Sequence, residues 1–116
     1  MSEVTLYHNP RCSKSRQTLA LLEERGIEPE IIEYLKTPPD AATITGLLDK
    51  LGIPAIELIR RGEAPFAELP LAGKEDDDGA LVEAMVSHPI LIERPIVVAG
   101  DQARIGRPPE AVLDIL

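Results

Sequence analysis

The residues best placed to do chemistry surround a single cysteine, in the segment His8-Asn9-Pro10-Arg11-Cys12-Ser13-Lys14-Ser15-Arg16. A thiol acts as a nucleophile in its thiolate form, and nearby positive charges stabilise the thiolate. Arg11, Lys14 and Arg16 supply three such charges, and no carboxylate lies within the segment. We therefore predict that Cys12 is a reactive thiol.

A lone cysteine has a second interpretation, as a small apolar residue of the core. Core cysteines usually lie in apolar runs, whereas this one lies between Asn9-Pro10-Arg11 and Ser13-Lys14-Ser15, a composition typical of a solvated turn. This polar composition favours a reactive thiol over a core residue. Its supporting residues would be Asn9, Arg11, Ser13 and Ser15, and His8 would either add a positive charge or accept a proton.

The neighbouring segments predict how this turn is held. Val4-Thr5-Leu6-Tyr7 has the β-branched and aromatic content of a short buried strand. Residues 18–25 read as a helix that ends at Gly26. Cys12 would then lie just before a helix, where backbone N–H groups lack intrahelical partners and the helix dipole favours negative charge. The sequence thus predicts an anion site that favours the thiolate.

Length and charge limit the classes of function. We expect the 116 residues to form one domain, and a single cysteine excludes an internal disulfide. We find no signal peptide and no apolar run of membrane-spanning length, so we expect a cytoplasmic protein with no membrane partner. The net charge of −8 argues against a nucleic-acid partner. Residues 1–62 carry 8 basic and 9 acidic groups, and residues 63–116 carry 4 and 11.

After the first helix, residues 30–35 read as a second strand, parallel to the first. Residues 41–51 then read as a helix ended by Gly52, and a short helix after Pro54 leads to Arg60-Arg61. Residues 63–79 read as a loop, and its acidic run at 75–78 lacks the ligand spacing of a metal site, so we predict no metal. A helix over residues 80–86 ends at His88-Pro89.

The last part of the chain has the strongest late strand signal, over residues 91–98. Pro95 interrupts that run, which indicates an edge, a bulge or a cis peptide bond. A hairpin at residues 99–102 leads to a short strand, and a last helix over residues 110–116 would bury Val112, Leu113 and Leu116. This order predicts an α/β fold, a thioredoxin-like mixed sheet with flanking helices and a helical insert between about residues 40 and 88.

Three segments resemble the arsenate reductases of the glutaredoxin-linked ArsC family, which is related to Spx-type proteins. They are the loop around Cys12, Arg94-Pro95-Ile96-Val97 and Arg107-Pro108. The resemblance implies that Cys12 is the nucleophile, that His8 helps to ionise it, and that Pro95 follows a cis bond beside Cys12. It also implies that three arginines bind the arsenic oxyanion, namely Arg60, Arg94 and Arg107. Arg61 is an alternative to Arg60.

The resemblance further implies reduction of As(V) to As(III), with glutathione as co-substrate, glutaredoxin as partner and no tightly bound cofactor. The short tail resembles that of compact chromosomal members of the family. Two alternatives stay open. One is an Spx-like regulator that binds RNA polymerase, although such sensors carry Cys-x-x-Cys and this chain has Ser15 at the second position. The other is a glutaredoxin-like thiol transferase.

Overall fold

The computed structural model describes residues 4–60, 62–63 and 77–116. The strands are β1 (Val4–Tyr7), β2 (Glu30–Ile32), β3 (Ile96–Ala99) and β4 (Gln102–Ile105). The α-helices are α1 (Ser13–Glu24), α2 (Ala41–Leu51), α3 (Ala55–Leu58) and α4 (Asp78–Ser87). Two 3₁₀ helices follow α4 and β4, at Pro89–Leu91 and Pro109–Ile115. The chain forms two compact units, which we call the sheet unit (residues up to Thr37 together with Arg94–Leu116) and the helical unit (Pro38–Glu93).

The sheet unit contains a four-stranded mixed sheet with the order β2-β1-β3-β4. β1 pairs parallel with β2 and antiparallel with β3, with Leu6 opposite Ile31 on one side and Val97 on the other. β3 and β4 form the predicted hairpin around Gly100, whose φ of +62° suits a residue without a Cβ. The predicted α/β fold with a mixed sheet and flanking helices is therefore confirmed.

One face of the sheet carries the core that fixes α1 and the terminal 3₁₀ helix. Alternate residues of β1 point to this face, as the two-residue period of a strand requires. They pack with residues from α1, β3 and the terminal helix in one buried cluster, which consists of Val4, Leu6, Leu22, Val97 and Val112. This packing fixes the end of β1 and the start of α1 on one scaffold, and the cysteine loop joins those two points.

The helical unit occupies the predicted insert. Asp40 caps α2 by accepting a hydrogen bond from the Thr43 N–H (2.8 Å), and Gly52 ends it in the left-handed region at φ +70°. Asp77 caps α4 in the same way through the Ala80 N–H (3.0 Å). The buried apolar residues of the helical unit include Ile44, Leu47, Leu48, Leu58, Leu81 and Met85.

Several predicted boundaries are wrong. The late strand does not begin at residue 91, because Leu91 ends a 3₁₀ helix and Ile92 makes only an isolated bridge with Ile59. β3 begins after Pro95, the residue that lacks the N–H a strand ladder needs. β2 ends at Ile32, and a turn follows. α1 begins at Ser13, five residues before the predicted start.

The last predicted helix is a 3₁₀ helix, and its buried face differs from the prediction. Val112 is fully buried as predicted, but Leu116 is 41% exposed and Ile115 packs against the core instead. The tighter 3₁₀ winding changes which side chains share a face.

Some predictions lie outside the described residues, namely those for Arg61 and for most of the loop at 63–79. Within the ranges that the structure describes, no helix is long and apolar enough to cross a membrane. The prediction of a single domain stays a prediction.

Candidate active site

The cysteine loop between β1 and α1 is closed by hydrogen bonds of its own residues. The Cys12 N–H donates to the Asn9 carbonyl (2.9 Å), and the Arg11 N–H donates to the Asn9 side-chain Oδ1 (3.0 Å). Arg16 reaches back from α1 and donates to the Pro10 carbonyl (2.9 Å). The carbonyl and the side chain of Asn9 thus both accept hydrogen bonds within the turn, and its supporting role in the chemistry stays a prediction.

Ser15 connects this loop to the end of β1. Its Oγ accepts a hydrogen bond from the Asn9 N–H (3.0 Å) and lies 2.6 Å from His8 Nδ1. His8, Asn9 and Ser15 are all buried, so these hydrogen bonds are shielded from water. Ser13 is exposed, and its supporting role stays a prediction.

His8 is buried, with 6% of its surface exposed. Burial lowers the pKa of His8 below its ordinary value of 6.5; the Glu33 carboxylate acts in the opposite direction, and the Arg16 charge lowers the pKa further. The neutral imidazole is therefore favoured. The role of His8 in ionising Cys12 stays a prediction.

Cys12 is the N-cap residue of α1, and its side chain makes no capping hydrogen bond. The Cys12 residue is partly exposed to solvent. No acidic residue stands in the first turn of α1, so the positive end of the helix dipole is not offset there. This placement is the predicted one, a thiol at a helix start.

Arg107 links the sulfur to the segment before Pro95. Its Nη2 donates to Cys12 Sγ (3.6 Å), and its Nε donates to the Arg94 carbonyl (2.8 Å). The contact with Cys12 joins residues 95 positions apart. A charged guanidinium at this distance stabilises a thiolate. The structure therefore brings the Arg107 guanidinium to both Cys12 and the backbone carbonyl of Arg94. The role of the Arg94 side chain in binding an oxyanion stays a prediction.

Gly106 explains how Arg107 reaches this position. Its N–H donates to the Pro95 carbonyl (2.9 Å), and a Cβ at residue 106 would lie 2.6 Å from Thr18 Oγ1 and 2.8 Å from Pro95 Cγ. Only glycine fits so close an approach. The Arg94–Pro95 bond is cis, as predicted, and the Arg107–Pro108 bond is also cis, which we did not predict.

Arg60 lies in the helical unit, where its guanidinium meets two carboxylates. Its Nη1 lies 2.8 Å from Glu63 Oε2, and its Nε lies 3.5 Å from Glu93 Oε1. The role of Arg60 in binding an oxyanion stays a prediction. Among the residues that the structure describes, no three histidine, cysteine, aspartate or glutamate side chains gather as a metal site would require.

Together these contacts place groups that suit an anion beside the Cys12 thiol. The first N–H groups of a helix have no intrahelical partners and bind anions well. The guanidinium of Arg107 adds a planar donor that suits tetrahedral oxyanions. A substrate that is both anionic and electrophilic would be held next to the sulfur that attacks it.

Comparisons with known proteins identify the family of this chain. The model of the ArsC family matches residues 7–115. The chain belongs to the ArsC family. It is 57% identical over 115 residues to the uncharacterized protein YfgD of Escherichia coli strain K12, an alignment covering 98% of this chain and 97% of that protein. It is 49% identical to an arsenate reductase of Rhizobium meliloti strain 1021, covering 97% of this chain and 81% of the relative.

A solved structure agrees with these sequence relatives. The arsenate reductase from Vibrio cholerae has a TM-score of 0.95 and 51% identity, with 99% of this chain and 98% of that chain covered. The predicted thioredoxin-like ArsC fold is therefore confirmed for this ArsC protein.

Sequence reasoning missed two residues that shape the site of this ArsC protein. Gly106 and Thr18 set where Arg107 lies, yet neither carries a charge or a nucleophile. A signal was present, since a glycine directly before the Arg-Pro dipeptide marks a place where the backbone approaches another segment closely. The partner in that approach could not be read from the sequence.

Proposed function

We propose that this protein is an arsenate reductase that reduces As(V) to As(III) through Cys12, with glutathione and glutaredoxin as outside thiols. The observation that carries the proposal is the guanidinium of Arg107, which donates to Cys12 Sγ and to the Arg94 carbonyl at once. It places a fixed positive charge at the point where a thiolate must meet an oxyanion.

The first step needs that charge because the thiolate and arsenate repel each other. Arginine guanidinium groups bind such an oxyanion bidentately and offset the repulsion, and they stabilise the charge that builds up in the transition state. Arg94 and Arg107 take this role here, and Arg60 is a further candidate. The neutral imidazole of His8 is suited to accept the thiol proton.

Attack of the Cys12 sulfur on arsenic forms an S–As bond and breaks an As–O bond, and the oxygen leaves as water after protonation. Arsenic is still As(V) at this point. Reduction to As(III) needs two electrons, which two sulfur atoms supply as they join in a disulfide. The chain has one cysteine, so at least one of these sulfurs must come from outside.

The thiol of glutathione then binds the arsenic and displaces a second oxygen as water. A glutaredoxin thiolate attacks the glutathione sulfur to form a mixed disulfide, and the As–S bond that breaks leaves its electron pair on arsenic, which becomes As(III). Water then replaces the Cys12 sulfur on As(III), so arsenite leaves and Cys12 is restored as a thiol. Because this cycle needs a compartment that keeps thiols reduced, we place the protein in the cytoplasm. The names of the relatives from Rhizobium meliloti and Vibrio cholerae support arsenate as the substrate.

The test is arsenate-dependent oxidation of NADPH in the presence of glutathione, glutaredoxin and glutathione reductase. We expect turnover by the native chain and none by Cys12→Ser. A parallel assay offers a peptide–glutathione mixed disulfide in place of arsenate. Turnover of the mixed disulfide alone would contradict the proposal and favour a thiol transferase. Absence of turnover in both assays, together with capture of the RNA polymerase α subunit, would favour an Spx-like regulator.

A further inference from the structure

A pocket of about 280 Å³ opens beside the cysteine loop in the sheet unit. Residues 8–11 form one wall, and Glu33, Leu35 and Lys36, from the turn after β2, form the other. Its volume is at the low end for small-molecule sites, so it suits an occupant of about the size of an amino acid.

The pocket lies next to the nucleophile along the chain. Arg11 lines it and directly precedes Cys12, so their Cα atoms are about 3.8 Å apart. One residue of extended chain spans about 3.5 Å. The pocket therefore borders the residue that precedes the thiol, and a ligand held there would need a thiol about one residue from its anchored group.

The walls of the pocket carry both signs of charge. Glu33 Oε1 and Lys36 Nζ form an ion pair at 3.4 Å, with side chains 40% and 79% exposed, and Arg11 is exposed on the opposite wall. Ion pairs so open to water contribute little, so a ligand with its own opposite charges can exchange with them. A carboxylate would face Lys36 and Arg11, and an ammonium group would face Glu33.

Apolar surface completes the pocket. Leu35 is 42% exposed although it is a large apolar side chain, and Pro10 of the cysteine loop also lines the pocket. A methylene chain packed against these two residues would remove apolar surface from water. The pocket thus fits a short aliphatic chain that ends in both an ammonium and a carboxylate group.

We propose that this pocket binds the γ-glutamyl end of glutathione and so positions its thiol at Cys12; the inference rests on the proposed function. The γ-glutamyl end carries an ammonium group, a carboxylate and two methylene groups. The glycyl end carries only a carboxylate and does not match the acidic side of the pocket.

The first test compares steady-state constants of the full chain. For Glu33→Gln and Lys36→Gln we expect the KM for glutathione to rise about fivefold and the KM for arsenate to stay within about twofold. Glu28→Gln and Lys50→Gln are the matched controls, because each removes the same charge from an exposed residue outside the pocket. Arsenate turnover with an unchanged KM for glutathione in both pocket variants would overturn the inference.

The second test needs no arsenate turnover and so separates the two proposals. The unreactive S-methylglutathione is titrated into the labelled protein, and amide shifts are followed by NMR. We expect saturable shifts at His8, Leu35 and Lys36, weakened at least fivefold for S-methylcysteinylglycine, which lacks the γ-glutamyl group. If these shifts are seen but the protein does not turn over arsenate, the result would support glutathione binding in the pocket and contradict the proposed arsenate reductase function.

Three other outcomes would overturn the pocket assignment. Equal affinity for the two S-methyl compounds would remove the role of the γ-glutamyl end. The same shifts on adding inorganic phosphate alone would assign the pocket to the oxyanion. Shifts that depend on protein concentration rather than on ligand would assign it to a second copy of the chain.

Discussion

The guanidinium of Arg107 uses two of its nitrogens for two different groups, the sulfur of Cys12 and the carbonyl of Arg94. Such a double contact needs donors fixed in one plane, which is the property that distinguishes arginine from lysine. The carbonyl acts as an anchor, and the anchored group then faces the sulfur. At the scale of a residue, this geometry makes the site depend on the shape of the side chain as well as on its charge.

We expect Arg107→Lys to lower kcat/KM for arsenate by about 10- to 100-fold, which corresponds to one charge-assisted hydrogen bond. A lysine ammonium keeps the charge but cannot contact both groups. Arg104→Lys is the matched control, since Arg104 donates to the Ala103 carbonyl on β4 and has no predicted role. Equal losses in the two variants would indicate a general effect of arginine replacement.

His8 should make the stability of the fold depend on pH. Because burial lowers the pKa of His8 below 6.5, the unfolded chain binds a proton at pH values where the folded chain does not. Its contribution to the unfolding free energy is complete above pH 6.5 and is lost as the pH falls. Urea unfolding between pH 7.5 and 5.5 measures this, and we expect a steeper fall for the native chain than for His8→Gln. The same dependence of the unfolding free energy on pH in both chains would contradict this prediction.

At the scale of elements, the sequence correctly predicts the bounds of those helices and strands that are determined by residues within the element itself. β1 and α2 have the predicted bounds because their apolar periods, the cap at Asp40 and the stop at Gly52 lie within the elements themselves. The segment before Pro95 was wrongly predicted to be part of a strand. A strand needs a neighbouring strand in register, and Ile92 forms only an isolated bridge with Ile59. The contact of Arg107 with Cys12 joins distant parts of the chain, so only the family resemblance placed both in one site.

The junction between β4 and the terminal 3₁₀ helix should not tolerate a side chain at residue 106. We expect Gly106→Ala to lower the unfolding free energy by about 1–3 kcal/mol, because its methyl group would overlap Thr18 and Pro95. Gly46→Ala in α2 is the control, since no atom lies within 4 Å of its Cβ position and alanine favours a helix. Urea unfolding compares the two, and a harmless Gly106→Ala would contradict the close packing.

The terminal 3₁₀ helix should contribute to stability through Val112, its residue in the buried core cluster. Val112→Ala removes two buried methyl groups from the core cluster, and we expect a loss of about 2 kcal/mol. Leu116→Ala, at an exposed position, should change the unfolding free energy by less than about 0.5 kcal/mol. Urea unfolding compares the two variants. A larger effect for Leu116→Ala than for Val112→Ala would favour the helical face predicted from the sequence, which includes Leu116.

At the scale of the whole chain, the two units differ in charge. The sheet unit carries 8 basic and 9 acidic residues, whereas the helical unit carries 4 and 11. The net charge of −8 therefore comes almost entirely from the helical unit. Cys12 and Arg107 lie in the nearly neutral sheet unit.

Cys12 occupies the N-cap position of α1 without a capping hydrogen bond, and this affects how the protein could be stabilised. Serine caps helices well through its hydroxyl oxygen, whereas the sulfur makes no such bond here. Cys12→Ser should therefore raise the unfolding free energy by about 0.5–1 kcal/mol while it abolishes turnover, and thermal unfolding of the two chains would measure the gain. A lower melting temperature for Cys12→Ser would contradict it. Selection for stability alone would then remove the nucleophile, so thermostabilised variants must be chosen with activity as a second criterion.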